Sequence, residues 1–185
     1  MGFFDLFGKK EEGADNAVLR DKVYISAQGK MNACLELAKE QPEMVFIAWF
    51  SETVNRFSTF FSDHGLDEGR VKLATTFHPA SHPNAPLVFL EHYPLAAKEL
   101  EFAEKHHLAS SLVFSSMDEP LFVFFGSEKM IPLVKLLGIK ENEPIEHSYV
   151  SQSIHKGQHK IADKVTSEHL ADSQDEWMRK NMVEE

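Results

Sequence analysis

Cysteine is almost absent: Cys34 is the single one in 185 residues, so no internal disulfide and no multi-cysteine zinc site can form. Met31, Leu35 and Ala38 surround it at helical spacing, which predicts a buried thiol in a core helix and a protein of the reducing cytoplasm. Positive charge is also scarce. Against 29 Asp and Glu stand 19 Lys and Arg, a net of -10 that repels a phosphate backbone and forfeits counterion release, so no nucleic acid is expected as a partner. Long apolar runs are missing too. The strongest, 44–50 and 120–125, fall far short of the roughly 20 residues a helix needs to span hydrocarbon, which predicts a soluble chain. The start lacks both the long apolar stretch and the small-residue cleavage site of a secretion signal, so export by that route is not expected.

What is present begins with 43% apolar residues and 15 Phe, enough for one compact domain with small appendages. Phe3, Phe4, Leu6 and Phe7 stand ahead of Lys9 and Lys10 and admit three readings. They could form a short interfacial helix giving weak contact with an anionic membrane, or else be a hydrophobic tag that docks on the protein's own surface or a simply disordered stretch. Leu at position 6, where Ser or Thr is wanted, argues against myristoylation.

From there strands alternate with helices. Strands are expected at 22–26, 44–50, 71–77, 87–90 and 112–115, and helices at 28–40, 52–64 and 95–106, with Pro42 and Gly65 as stops. The nearly continuous apolar run at 44–50 suits a strand buried on both faces of a parallel sheet. This alternation predicts an α/β layer fold: a mainly parallel sheet of about five strands flanked by helices. Beyond Asp118 the character becomes helical, with apolar 120–125, a helix over 128–137 stopped by Gly138, and a long helix over 146–182 broken near Ser173. Three parts are expected: a flexible segment 1–20, an α/β domain 21–137, and a helical extension 138–185.

The stretch 118–147 contains Phe125-Gly126, Leu137-Gly138 and Glu143-Pro144-Ile145-Glu146-His147, followed by Val150, Ser151, Ile154, Gln158 and Lys160. In that order and spacing it resembles the segment of the SecA preprotein-translocase ATPase family that leaves the second motor domain and enters the helical scaffold. The resemblance covers roughly 110–165. Upstream, Val23-Tyr24, Lys30, the strand at 45–48, Gly65-Leu66 and Ser110-Ser111 resemble that second, RecA-like domain more weakly. It implies a RecA-like sheet with a scaffold-like extension, and a structural junction formed by Phe125, Gly126, Leu137, Gly138, Pro144, Ile145, Glu146 and His147. At such a helix start His147 is expected to act as a cap.

The catalytic parts of such a motor have no counterpart here. A phosphate-cradling loop needs glycines, Lys and Ser or Thr, and the nearest approach, Ala27-Gln28-Gly29-Lys30-Met31, lacks the first glycine and the metal-binding hydroxyl. The family's arginine-rich motif is replaced by Glu101 to Leu108, and no arginine lies between Arg70 and Arg179 to stabilise phosphoryl charge. No ATP hydrolysis and no cofactor are therefore expected.

Rival constellations are weaker. His78 and His82 sit four apart in a proline-interrupted segment, and His92, His106 and His107 complete a His-rich stretch, but a zinc site needs converging ligands on a regular frame. Asp118 and Glu119 are adjacent, so their side chains diverge, which suits a helix N-terminal charge better than acid-base chemistry. Ser115 and Ser116 lack the Gly-x-Ser-x-Gly elbow of a hydrolase. The expectation is a non-catalytic, SecA-like interaction module, docking on a translocase component, another RecA-like domain or itself. Its rivals are a nucleotide-binding or metal-dependent hydrolase built on the His-rich stretch, and a membrane-peripheral adaptor using Phe3, Phe4 and Phe7.

Overall fold

The computed structural model describes residues 19–182. The three readings of Phe3, Phe4 and Phe7, and most of the 1–20 segment, lie outside the described residues. Five strands, β1 (Leu19–Tyr24), β2 (Val45–Ala48), β3 (Val71–Leu73), β4 (Leu87–Phe89) and β5 (Ser111–Ser116), form one all-parallel sheet in the order β1-β5-β4-β2-β3. This is the α/β layer expected. All four residues of β2 are buried, as a strand covered on both faces requires.

Alternation along the strands divides the core in two. Phe46, Ala48, Val88 and Phe114 face Cys34, Leu35 and Ala38 of α1 (Ala27–Glu40) and Phe57 and Phe61 of α2 (Ser51–Asp63). Val45, Ile47, Phe89 and Val113 face Phe102 of α3 (Ala96–Lys105) on the opposite side. Helices α1 and α2 thus share one face and α3 takes the other. Gly65, at φ +72, closes α2 where a side chain would be strained.

Three expectations shift. The first strand starts at Leu19, inside the segment expected to be flexible, and stops before Ser26, whose hydroxyl instead caps α1 by accepting from the Gly29 amide at 3.2 Å. The strand expected over 71–77 ends at Leu73 because its only partner, β2, ends at Ala48, and Ala74–Thr76 turns into a 3-10 helix. The long helix of 146–182 is two helices, α6 (Ser148–Ala162) and α7 (Gln174–Asn181, capped by Ser173), with 163–173 non-helical between them.

Tertiary burial accounts for that third shift. Folding back seats Trp177, fully buried, against Phe50, Tyr93, Leu121 and Ile161, and Glu168 in the link accepts from its indole at 2.9 Å. Burying an indole of this size outweighs the few turns of helix that continuation would add. Between sheet and extension lie α4 (Pro120–Phe124), a 3-10 turn over Ser127–Lys129, and α5 (Ile131–Leu136). Among the described residues no helix is long and apolar enough to cross a membrane.

Candidate functional site

Because α1 and α2 flank one face and α3 the other, the chain reverses direction between β2 and β4, and in open α/β sheets ligands bind at the carboxyl ends of strands beside such a reversal. Here that crevice is filled by the chain's own acidic groups. Glu91, just past β4 and only 4% exposed, accepts from the amides of Trp49 (3.0 Å) and Phe50 (3.2 Å) and from the Thr53 hydroxyl (2.7 Å) at the start of α2. Burial pushes its carboxyl up to about 7, against the opposing pull of Lys30 and Thr53.

The start of α1 is covered in the same way. The Ala27 amide donates to Asp118 at 2.9 Å, and Ser26 donates to Glu141. A Cβ on Gly29 would fall 1.9 Å from the Glu141 carbonyl oxygen, so the turn around residue 141 lies directly on the helix. Lys30, the residue where a phosphate loop would present its cation, is buried. Its ammonium donates to Glu119 at 2.5 Å and to the Leu90 carbonyl at 2.7 Å. Asp118 and Glu119 diverge as expected, but only Asp118 serves a helix start. Glu119 turns inward to Lys30 and accepts from the Ser116 amide at 2.9 Å.

A second buried cluster ties the extension to the sheet. His92 bridges Asp21 through Nε2 and Glu99 through Nδ1, each at 2.9 Å. Burial alone would lower its pKa, but the two carboxylates outweigh burial and raise it to about 10, so the ring is an imidazolium. Gln158 of α6 donates to Glu99 (3.0 Å) and to the Tyr93 carbonyl (2.8 Å), and Gln174 of α7 donates to the His92 carbonyl (2.9 Å). Sequence reasoning missed this cluster. Its one local signal was a Glu seven positions after a His at the start of a helix.

The His-rich stretch therefore does not converge. His92 is held in the core, whereas His82 stacks on Phe77 and His106 meets the same ring edge-on. Burial lowers the pKa of His106, and repulsion from Lys105, His78 and His107 adds to it. Among the described residues no group of three or more His, Cys, Asp or Glu is placed to hold a metal ion. Ser115 is fully buried with its hydroxyl unpartnered, and Ser116 bonds to Glu119, so neither is set beside a base.

The junction residues lie elsewhere, around an apolar groove of about 490 Å³ between β1, α4, α5 and α6. Its walls include Val23, Met117, Phe125, Met130, Leu137 and Ile154. Gly126 and Gly138, at φ +82 and +86, make the turns on either side of α5. Ile145, next to Pro144, bridges antiparallel to Val23 through amides at 2.7 and 3.3 Å, and Glu146 pairs with Lys22 at 3.3 Å. His147 caps α6, its Nδ1 accepting from the Tyr149 amide at 3.2 Å. Phe125 is 42% exposed and lies so close to α6 that a Cβ on Gly157 would come 2.8 Å from its ring. Phe124, Met130 and Leu137 are also well exposed, which gives the groove an apolar rim.

No family model matches this chain. A stretch of it is 43% identical over 51 residues to the protein translocase subunit SecA of Ehrlichia canis, covering 28% of this chain and 6% of that protein. Part of this chain is similar to SecA. The SecA subunit of Endomicrobium trichonymphae is 42% identical over 52 residues, again 28% of this chain and 6% of its own length. That of Acidithiobacillus ferrooxidans is 44% identical over 48 residues, 26% of this chain and 5% of its own. The likeness thus spans about 6% of the length of these SecA relatives, a small piece of a large protein.

Proposed function

We propose that this chain is a non-catalytic, SecA-like module that binds a protein partner, with protein translocation as the process it serves. One observation carries the reading. The helix starts where a motor domain would hold phosphate are occupied by carboxylates of the chain itself: Glu91 at α2, Asp118 and Glu141 at α1. An incoming phosphate would have to expel these groups and strip Lys30 from Glu119, against like charge at every step.

The sequence supports the same conclusion, since 101–108 supplies no arginine to a transferring phosphoryl group. The part kept from the SecA-like segment is the part that walls the groove: Phe125, Leu137, Ile145 and His147. A translocase component, another RecA-like domain or a second copy of this chain are the partners that kinship suggests. The metal-dependent or nucleotide-hydrolysing alternative has no comparable support, because His92 is engaged between Asp21 and Glu99.

The test is isothermal titration of the purified chain with Mg-ATP and Mg-ADP. No heat is expected at millimolar nucleotide. Saturable binding would mean that the carboxylates yield to phosphate, and the module reading would fall.

A further inference from the structure

We propose that Glu91, Lys30 and Glu119 form a proton-operated latch on the groove wall. A proton held on Glu91 leaves Lys30 to Glu119 and fixes the start of α4; its loss sets two carboxylates against one ammonium and loosens α4. The link to docking rests on reading the groove as the module's docking surface, whereas the proton uptake stands on the cluster alone.

The charges in the cluster do not balance. Glu91, Glu119 and Lys30 are all buried, so two carboxylates share one ammonium. That ammonium is committed to Glu119 at 2.5 Å and to the carbonyl of Leu90, the residue before Glu91, at 2.7 Å. The donors that reach Glu91 itself, the Trp49 and Phe50 amides and the Thr53 hydroxyl, are uncharged. Glu119 also keeps its Oε2 buried with no donor among the described residues. The surrounding ionisable groups supply no further cation. Asp118 accepts from the Ala27 amide, Asp172 from the Ser51 hydroxyl, and His92 is engaged by Asp21 and Glu99. A buried negative charge without a counter-charge is relieved by taking up a proton.

The hydrogen bonds point to Glu91 as the acceptor. Its Oε1 holds both amides and its Oε2 holds the Thr53 hydroxyl. A proton on Oε2 reverses that last bond alone, because the hydroxyl of a helical threonine can turn to the carbonyl four residues back. Glu119 has no such exchange: its Oε1 already accepts from Lys30 and from the amide and hydroxyl of Ser116, and neutralising it would break the ion pair. Burial, opposed by Lys30 and Thr53 and reinforced by the charge of Glu119, sets the Glu91 carboxyl at about 7.

Glu119 transmits the change. Its carbonyl accepts from the Phe122 and Val123 amides at 2.9 Å each, which starts α4, and Leu121 and Phe122 of α4 wall the groove. With Glu91 neutral, Lys30 serves Glu119 undivided. With Glu91 ionised, two like charges repel inside the protein, where screening is weaker than in water, and the ammonium is drawn between them. The Lys30–Glu119 pair slackens, and the start of α4 with it.

The experiment labels the full chain with 13C at the glutamate carboxyls and follows them between about pH 5 and 9. One signal, absent in E91Q, should pass from carboxylic acid to carboxylate with a midpoint near 7. In E119Q that midpoint should drop by about one pH unit, because a like charge has gone and Lys30 is released. Hydrogen exchange of the Phe122 and Val123 amides should rise more steeply with pH in the wild type than in E91Q. The glutamine keeps an acceptor for both amides and donates to Thr53, as the protonated acid does.

A Glu91 carboxyl ionised throughout that range would overturn the proposal, and so would a midpoint that E119Q leaves in place. Equal pH dependence of Phe122 exchange in wild type and E91Q would remove the latch and overturn it too. Should E91Q fail to fold, the shift between wild type and E119Q decides. Saturable Mg-ATP binding would sink the docking-module reading and leave the nucleotide-free titration unchanged, so the two failures are distinguishable.

Discussion

Replacing His92 with Gln should abolish a pH dependence of stability that one buried group confers between about pH 7 and 8.5. In the folded chain Asp21 and Glu99 raise the imidazole from 6.5 to about 10. The folded state therefore holds a proton that the unfolded chain releases above 6.5. The resulting stabilisation is full below that value and is lost as pH rises toward 10. Each bound proton is worth about 1.4 kcal/mol per pH unit, and integrating across the window with the unfolded ring mostly neutral gives about 2 kcal/mol.

Few other shifted groups contribute there. Burial pushes Glu91 up to about 7 from 4.5, so its cost to stability builds as pH rises from 4.5 and is nearly complete where the window begins, leaving little pH dependence inside it. His106, depressed by burial, acts below 6.5. Cys34, raised by burial, adds its own loss only above about pH 9. The assay is urea unfolding followed by tryptophan fluorescence, with fully buried Trp177 as reporter, at several pH values for both proteins. The wild type should lose about 2 kcal/mol across the window and the variant should be nearly flat. A flat wild type, or an imidazole NMR signal showing His92 neutral at pH 8, would refute the reasoning.

Lys30→Met should destabilise by about 3–5 kcal/mol, because it leaves Glu119 buried and unpaired, whereas the double change K30M/E119Q should recover most of that loss. Equal instability of the single and double variants in chemical denaturation would argue that the pair is not the source. Gly29→Ala should cost about 1–3 kcal/mol, since the added methyl meets a backbone carbonyl at 1.9 Å, and it should weaken hydrogen-exchange protection of the Ile145 amide as the turn lifts from α1. Unchanged protection there would show that the turn does not bear on the helix.

Much of the sheet was legible because its signals are local. The apolar run around Phe46, the helical spacing of Cys34, Leu35 and Ala38, and the stops at Pro42 and Gly65 each act within a few residues. The burial of Cys34 and the capping role of His147 follow from the same short-range chemistry. The errors fell where a distant partner decides. The third strand ended early because β2 had no further residues to pair, and the C-terminal helix broke across 163–173 so that Trp177 could be buried.

The polar core was not legible at all. Asp21 meets His92 across 71 residues and Lys30 meets Glu119 across 89, and neither pair leaves a pattern in the chain. Only the strand order β1-β5-β4-β2-β3 brings their carriers together, because it sets the ends of β1, β4 and β5 side by side. The sequence by itself determined the α/β class, the acidic charge balance and the likeness of part of the chain to SecA, since composition, periodicity and short motifs need no partner. The tertiary structure alone decided that the crevice at the strand ends is filled by Glu91, Asp118 and Glu141, because hydrogen bonds between residues far apart in the chain exist only once the sheet has assembled.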